Sequence, residues 1–156
     1  MSYTITEACN GCGACTRICP VEAITGSKKS LHHIDERLCI NCGACGRLCP
    51  NGGIIDESGK PCIMVKRSQW SKPQFNHKTC MSCNICIENC PVSCLALGEA
   101  RKKSNPHGYP YLKNEKNCIA CGFCADDCPV KSITMIIPEK NENNVSSKKE
   151  KAKAIA

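Results

Sequence analysis

Apolar positions in this chain gather in short β-prone runs separated by polar turns, and the runs recur in the same order twice. Tyr3-Thr4-Ile5 opens the first set and Ile54-Ile55 closes it. Phe75-Asn76 opens the second, and Ile133-Thr134-Met135-Ile136-Ile137 closes it. Each opening run is predicted to pair antiparallel with its closing run. Between them, Ala23-Ile24-Thr25 and Leu31-His32-His33-Ile34 predict a hairpin turning through Gly26-Ser27. Cys94-Leu95-Ala96-Leu97 and Tyr109-Pro110-Tyr111-Leu112 predict its counterpart. Short helical turns are predicted after Pro20, Pro50, Pro91 and Pro129, because the fixed φ of proline suits the first helical position. The pattern reads as an α+β chain of two tandem units, 1–56 and 74–137. A basic linker, 57–73, joins them and a charged tail, 138–156, follows.

Cysteine supplies the strongest signal. Four times the chain writes C-x2-C-x2-C-x3-C-P: Cys9-Cys12-Cys15-Cys19-Pro20, Cys39-Cys42-Cys45-Cys49-Pro50, Cys80-Cys83-Cys86-Cys90-Pro91 and Cys118-Cys121-Cys124-Cys128-Pro129. Zinc sites with four cysteines use two C-x2-4-C pairs and need neither the third cysteine nor the trailing Cys-Pro. A disulfide scaffold belongs to small secreted chains. Met1 to Thr6 show no basic region followed by an apolar run, so a reducing cytoplasm is the expected compartment. No apolar stretch approaches the length that spans a bilayer.

Those tetrads, with Cys19-Pro20-Val21-Glu22-Ala23-Ile24 and Cys128-Pro129-Val130-Lys131-Ser132-Ile133, resemble the bacterial-type ferredoxin superfamily from Tyr3 to Ile137, with two modules fused. The resemblance implies four [4Fe–4S] clusters. It also implies a crossover, in which the fourth cysteine of each loop ligates the neighbouring cluster. Cys9, Cys12, Cys15 and Cys49 would then hold the first cluster, and Cys39, Cys42, Cys45 and Cys19 the second. Cys80, Cys83, Cys86 and Cys128 would hold the third, and Cys118, Cys121, Cys124 and Cys90 the fourth. A nested pairing of copy one with four and two with three, similar to the four-cluster subunits of molybdopterin oxidoreductases, is the rival. The compact spacing of copies one and two favours tandem pairing.

Composition agrees with a cluster-filled interior. The hydrophobic fraction of 42% includes 18 cysteines, and aromatics are only 4%. Units this small need metals or staples, so the apo-chain is expected not to fold. The net charge of +7 counts cysteine as neutral. Four oxidised clusters at about −2 each bring it to about −1, so the basicity is local compensation. With no basic stripe interleaved with aromatics, nucleic-acid binding is not expected.

Several residues stand outside this scheme. Cys94 is expected to pack beside a cluster, and neither it nor Cys62 is expected to be a ligand. His32, His33, His77 and His107 show no metal-ligand spacing and are expected on the surface or in strands. Small spacers such as Gly11 and Gly13 fit backbone approach to cluster sulfur, whereas Met81, Ile85, Ile119 and Phe123 would shield clusters from water. Trp70, the single tryptophan, either anchors a partner subunit or packs the units together. Arg101-Lys102-Lys103, in an enlarged loop from Gly98 to Gly108, reads as a solvated charge run or a docking loop.

Every cluster has a full ligand set, and no nucleophile–base, nucleotide or flavin motif is present, so the chain reads as an electron conductor rather than a catalyst. The size, the fused modules and the segment from Arg67-Ser68-Gln69-Trp70 to Cys80 look like the small polyferredoxin subunit of tungsten-dependent enzymes, the bacterial aldehyde oxidoreductases and class II benzoyl-CoA reductases. That resemblance implies a large tungstopterin partner holding the tungsten, and a flavin subunit at the far end. Clusters of this kind are oxidised easily, so an oxygen-poor setting is expected. The alternatives are a freely diffusing ferredoxin shuttle and a cluster-stabilised filament.

Overall fold

Short ladders and single-turn helices build the chain, which a computed structural model describes over residues 2–99 and 107–138. The first half runs β1 (Thr4–Ile5), α1 (Ala14–Ile18), β2 (Ile24–Thr25), β3 (His33–Ile34), α2 (Ala44–Leu48) and β4 (Ile54–Ile55). The second runs β5 (Lys72–Phe75), α3 (Ile85–Glu88), β6 (Leu95–Leu97), β7 (Pro110–Leu112), α4 (Phe123–Asp126) and β8 (Ile133–Ile136). In each half the outer strands pair antiparallel, Thr4 opposite Ile55 and Phe75 opposite Ile133. The inner strands form the hairpins, Ile24 opposite Ile34 and Leu95 opposite Leu112. The two helices of each half pack against one another. The Arg101-Lys102-Lys103 run and most of the tail lie outside the described residues.

Helix position departs from expectation. Each helix precedes its proline, carries the third cysteine and ends before the fourth, and only a turn follows Pro20, Pro50, Pro91 and Pro129. The reason is backbone handedness. Two residues past each proline stands a left-handed residue: Glu22 (φ 52°), Gly52 (φ 61°), Ser93 (φ 48°) and Lys131 (φ 50°). A left-handed residue closes a turn and cannot propagate a right-handed helix. Strand β5 also begins earlier than Phe75, at Lys72, with Pro73 opposite Met135.

None of these elements is stable alone. Two-stranded ladders are marginal in water, and helices of one turn do not nucleate themselves. Stability must come from what they enclose. In the first half, Ile24, Ile34 and Ile54 are buried with Cys15 and Cys45. In the second, Leu95 and Ile133 are buried among Cys86, Cys94, Cys118, Cys124 and Cys128. Cysteine thus makes up most of the buried group in the second half and shares the first with three isoleucines.

A third apolar group joins the halves. Ala44, Trp70, Ile119 and Ala120 are buried together, and Ile18, Leu48 and Val92 pack against them. Trp70 is 1% exposed, which excludes it as a surface anchor and leaves the packing role. Its indole Nε1–H donates to Val65 O at 2.9 Å, and the guanidinium carbons of Arg67 and Arg47 lie 5.0 and 5.6 Å from its ring. Arg47 Nη2 donates to Cys42 O at 2.8 Å and to Ile119 O at 2.9 Å, binding the two halves through one nitrogen. Within the second half, Lys72 Nζ donates to Glu115 O at 3.0 Å and Cys118 O at 3.1 Å, bracing the loop that carries Ile119.

Truncating Trp70 to Ala is expected to cost about 3–5 kcal/mol. Trp70→Phe keeps most of the buried ring and loses chiefly the bond to Val65, about 1 kcal/mol. Thermal unfolding followed by circular dichroism checks the order; equal, small shifts would remove Trp70 from this role.

Candidate metal centres

The four cysteine loops bend at the same places. Between the first and second cysteines, and just after the second, stand left-handed residues: Gly11 and Gly13 (φ 68° and 70°), Asn41 and Gly43 (55° and 67°), Ser82 and Asn84 (55° and 64°), Ala120 and Gly122 (56° and 86°). A non-glycine residue held there costs about 1 kcal/mol or more. The loops accept that cost in order to curl three cysteines inward. In three of the loops the left-handed residue after the proline then turns an amide onto the fourth cysteine. Ala23 N–H donates to Cys19 Sγ at 3.3 Å, Cys94 N–H to Cys90 Sγ at 3.4 Å and Ser132 N–H to Cys128 Sγ at 3.2 Å.

Each loop faces a cavity, and each cavity borrows a cysteine from the neighbouring loop. Cys9, Cys12, Cys15 and Cys49 line the first. Cys39, Cys42, Cys45 and Cys19 line the second. Cys80, Cys83, Cys86 and Cys128 line the third, and Cys118, Cys121, Cys124 and Cys90 the fourth. Counted to their open mouths, the empty spaces are about 320, 320, 320 and 300 Å³ in that order. All sixteen tetrad cysteines thus fall into four sets of four.

The geometry suits a group larger than one ion. Among the described residues no three His, Cys, Asp or Glu side chains converge closely enough to hold a single metal ion. The cysteines ring a space instead. The donor set has the right chemistry for iron. Burial pushes the Cys45 and Cys124 thiols up to about 12, and the Cys86 thiol up to about 11. Bare thiolates are costly in such places, and ferric and ferrous ions supply the compensating positive charge.

Cys94 lies inside this arrangement. It lines the fourth cavity, buried, with Sγ 3.4 Å from Cys90 Sγ. A hydrogen bond to Cys118, then burial, push the Cys94 thiol up, while the same bond pulls Cys118 down to about 6. Cys94 therefore stands at the fourth cavity as a fifth sulfur, beside Cys90 and outside the tetrads. Cys62 instead packs in the first half, against α2. A Cβ on Gly46 would stand 2.6 Å from the Cys62 sulfur, so that contact requires glycine.

Other residues differ from the sequence reading. His32 is buried, not on the surface or in a strand. Its Nδ1–H donates to Ser30 O at 3.0 Å, with Cys9 Sγ 3.9 Å away. Nothing in the local pattern marks it except Gly26, whose added Cβ would strike the ring at 2.7 Å. Arg47 is the larger omission. It sits between the second and fourth cavities, and its buried Nε has no hydrogen-bond partner among the described residues. Ile119 does cover the fourth cavity and Ile85 lines the third, but Met81 is 60% exposed at the mouth of the third. Phe123 opens α4 instead.

Known proteins share these loops. Residues 8–53 and 79–132 each match the family described as 4Fe-4S dicluster domain. The NADP-reducing hydrogenase subunit HndC of Solidesulfovibrio fructosivorans is 61% identical over 33 residues, 20% of this chain and 7% of that one. A ferredoxin of Butyribacterium methylotrophicum is 51% identical over 37 residues, 24% of this chain and 64% of that one. A component of an ion-translocating oxidoreductase complex from Magnetococcus marinus is 47% identical over 34 residues, 22% of this chain and 19% of that one. The chain spans less than two thirds of the length of each of these relatives. A formate dehydrogenase – heterodisulfide reductase – formylmethanofuran dehydrogenase complex from Methanospirillum hungatei contains a chain with 21% identity and a TM-score of 0.35, covering 82% of this chain and 52% of that one, a likeness too low to bear on the arrangement. With the dicluster signature matched in both halves, the chain belongs to the 4Fe-4S dicluster domain family and is a tandem, bacterial ferredoxin-type iron–sulfur protein.

Proposed function

We propose that the chain is an electron-transfer subunit, a polyferredoxin carrying four [4Fe–4S] clusters on the four cysteine sets, and that it conducts electrons to or from a catalytic oxidoreductase subunit. The observation that carries this reading is the set of four near-equal cavities, each ringed by three cysteines of one loop and one of its neighbour. Such clusters supply reversible one-electron chemistry when bound. The residues of this chain provide the rest: thiolates as ligands, amides that donate to sulfur, and a covering of Ile54, Ile119 and Ile133 that limits water. The tandem units 1–56 and 74–137 follow the same pairing of loops.

Relatives named as components of a hydrogenase and of an ion-translocating oxidoreductase complex support a place in a larger redox assembly. The finer proposal is a tungstopterin-containing partner, with a flavin subunit at the opposite end, on the resemblance of the segment from Arg67 to Cys80. We also propose a cytoplasmic, oxygen-poor setting. Among the described residues no helix is long and apolar enough to cross a membrane.

Anaerobically purified protein is expected to contain about 16 irons and about 16 acid-labile sulfides per chain. Cys118→Ala is expected to lose about one quarter of that iron, and Cys94→Ala none. Iron analysis beside the electron paramagnetic resonance of the reduced protein checks both; equal losses would place Cys94 among the ligands. Removing iron with a chelator is expected to abolish the ordered fold, because metal binding and folding share one free energy. Native-like circular dichroism of the apo-protein would contradict this. Native mass spectrometry of the protein from its source is expected to show it bound to a larger redox protein, and a lone monomer would favour the shuttle.

A further inference from the structure

The second cysteine of each loop occupies the same place in the motif, yet its surroundings divide the four copies. Cys12 and Cys83 are exposed, whereas Cys42 and Cys121 are partly covered. What covers the latter pair is one object. Cys42 and Cys121 both pack against the buried group of Ala44, Trp70, Ile119 and Ala120. Arg47 Nη2 bridges the carbonyls of Cys42 and Ile119, at 2.8 and 2.9 Å, and Ile119 also lines the fourth cavity. The second and fourth cysteine sets therefore meet back to back across the junction.

Within each half, α1 packs on α2 and α3 on α4, which couples the first set to the second and the third to the fourth. From these contacts we infer that the four sets stand in the order first, second, fourth, third along the molecule. They are joined at Arg47 and Trp70, and open to one-electron partners at the loops of Cys12 and Cys83. The inference rests on the four-cluster reading above and goes beyond it by naming the order and the two exits. Chain order alone would place the second set beside the third. The nested alternative would pair the first with the fourth.

Electron tunnelling falls off steeply with separation, so the closest approach between halves decides where current crosses. The loop of Cys118–Cys124 reaches the first half, while the loop of Cys80–Cys86 ends at solvent through Cys83 and Met81.

Anomalous diffraction at the iron edge, on crystals of the holoprotein, tests the order without any substitution. The expected result is four iron maxima in a row, with the maximum ringed by Cys39, Cys42, Cys45 and Cys19 nearest to that ringed by Cys118, Cys121, Cys124 and Cys90. A row in which the maximum at Cys80, Cys83 and Cys86 lies closest to the first half overturns the inference. Fewer than four maxima would overturn the four-cluster reading instead, so the two failures are distinguishable. In solution, the double variant Arg47→Met with Trp70→Ala is expected to lose the spin–spin interaction between halves in the fully reduced protein, and to keep the interaction within each half. Met81→Ala, at the outer loop, is expected to change neither. Loss of the inter-half interaction on Met81→Ala, with the double variant unaffected, counts against the proposed junction.

Discussion

The structure depends on an exchange of cysteines between neighbouring loops. Each cavity takes three sulfurs from one loop and a fourth from the other loop of the same half. Neither loop can leave without opening both cavities. This is why ladders of two to four residue pairs suffice as the sheet structure among the described residues. They position chain ends; they do not supply the main cohesion. In the second half most of the buried group is cysteine. With burial raising the thiols of Cys45, Cys86 and Cys124, the thiolate form that binds iron is poorly stabilised there without a metal. Binding of iron converts those same groups from an electrostatic cost into the centre of the fold.

Backbone strain is distributed to serve that exchange. Left-handed residues at matched positions of all four loops curl the first three cysteines around the cavity. A further left-handed residue follows each proline, and at Cys19, Cys90 and Cys128 it returns an amide to the fourth sulfur. Hydrogen bonds to cluster sulfur are among the levers that set reduction potential, so the same local geometry that shapes the loop also bears on electronics. The four copies are not equivalent in this respect. At the residue that follows the left-handed turn, the chain carries Ala23, Gly53, Cys94 and Ser132. Cys94 adds an S–H group beside Cys90 and Cys118, and the hydroxyl of Ser132 lies 2.9 Å from that of Thr79.

Much of this is legible in the chain itself. Cysteine spacing, with the crossover that its family resemblance implies, matches the sets found around the cavities, and the short β-prone runs mark the ladders to within two or three residues. Helix positions are not legible in the same way, because a proline that suits a helix start also suits the exit from a loop. Residues such as Glu22 and Lys131, which take left-handed conformations here, carry no compositional sign of doing so. His32 and Arg47 escape a sequence reading for a different reason. Their roles come from contacts 23 and 72 residues away in sequence, Cys9 and Ile119, and no local pattern encodes such a distance. Trp70 has two readings in the sequence, and only its burial decides between them.

The junction ties the chain's charge to its architecture. Arg47 and Lys72 both place cationic nitrogens on backbone carbonyls of the loop that carries Cys118, and the Arg67 guanidinium lies over the same tryptophan ring. A net formal charge of +7 is therefore not spread evenly; part of it is committed where the second and fourth sets approach each other. Two sulfur-rich anionic centres brought together in a partly buried setting repel, and the repulsion grows as electrons are added. A guanidinium fixed between them by two carbonyls offsets that repulsion without leaving the apolar group that Trp70 fills. Packing alone would hold the halves together; with clusters on the second and fourth sets, as proposed, a cation at the centre of that packing would also keep them electrostatically compatible.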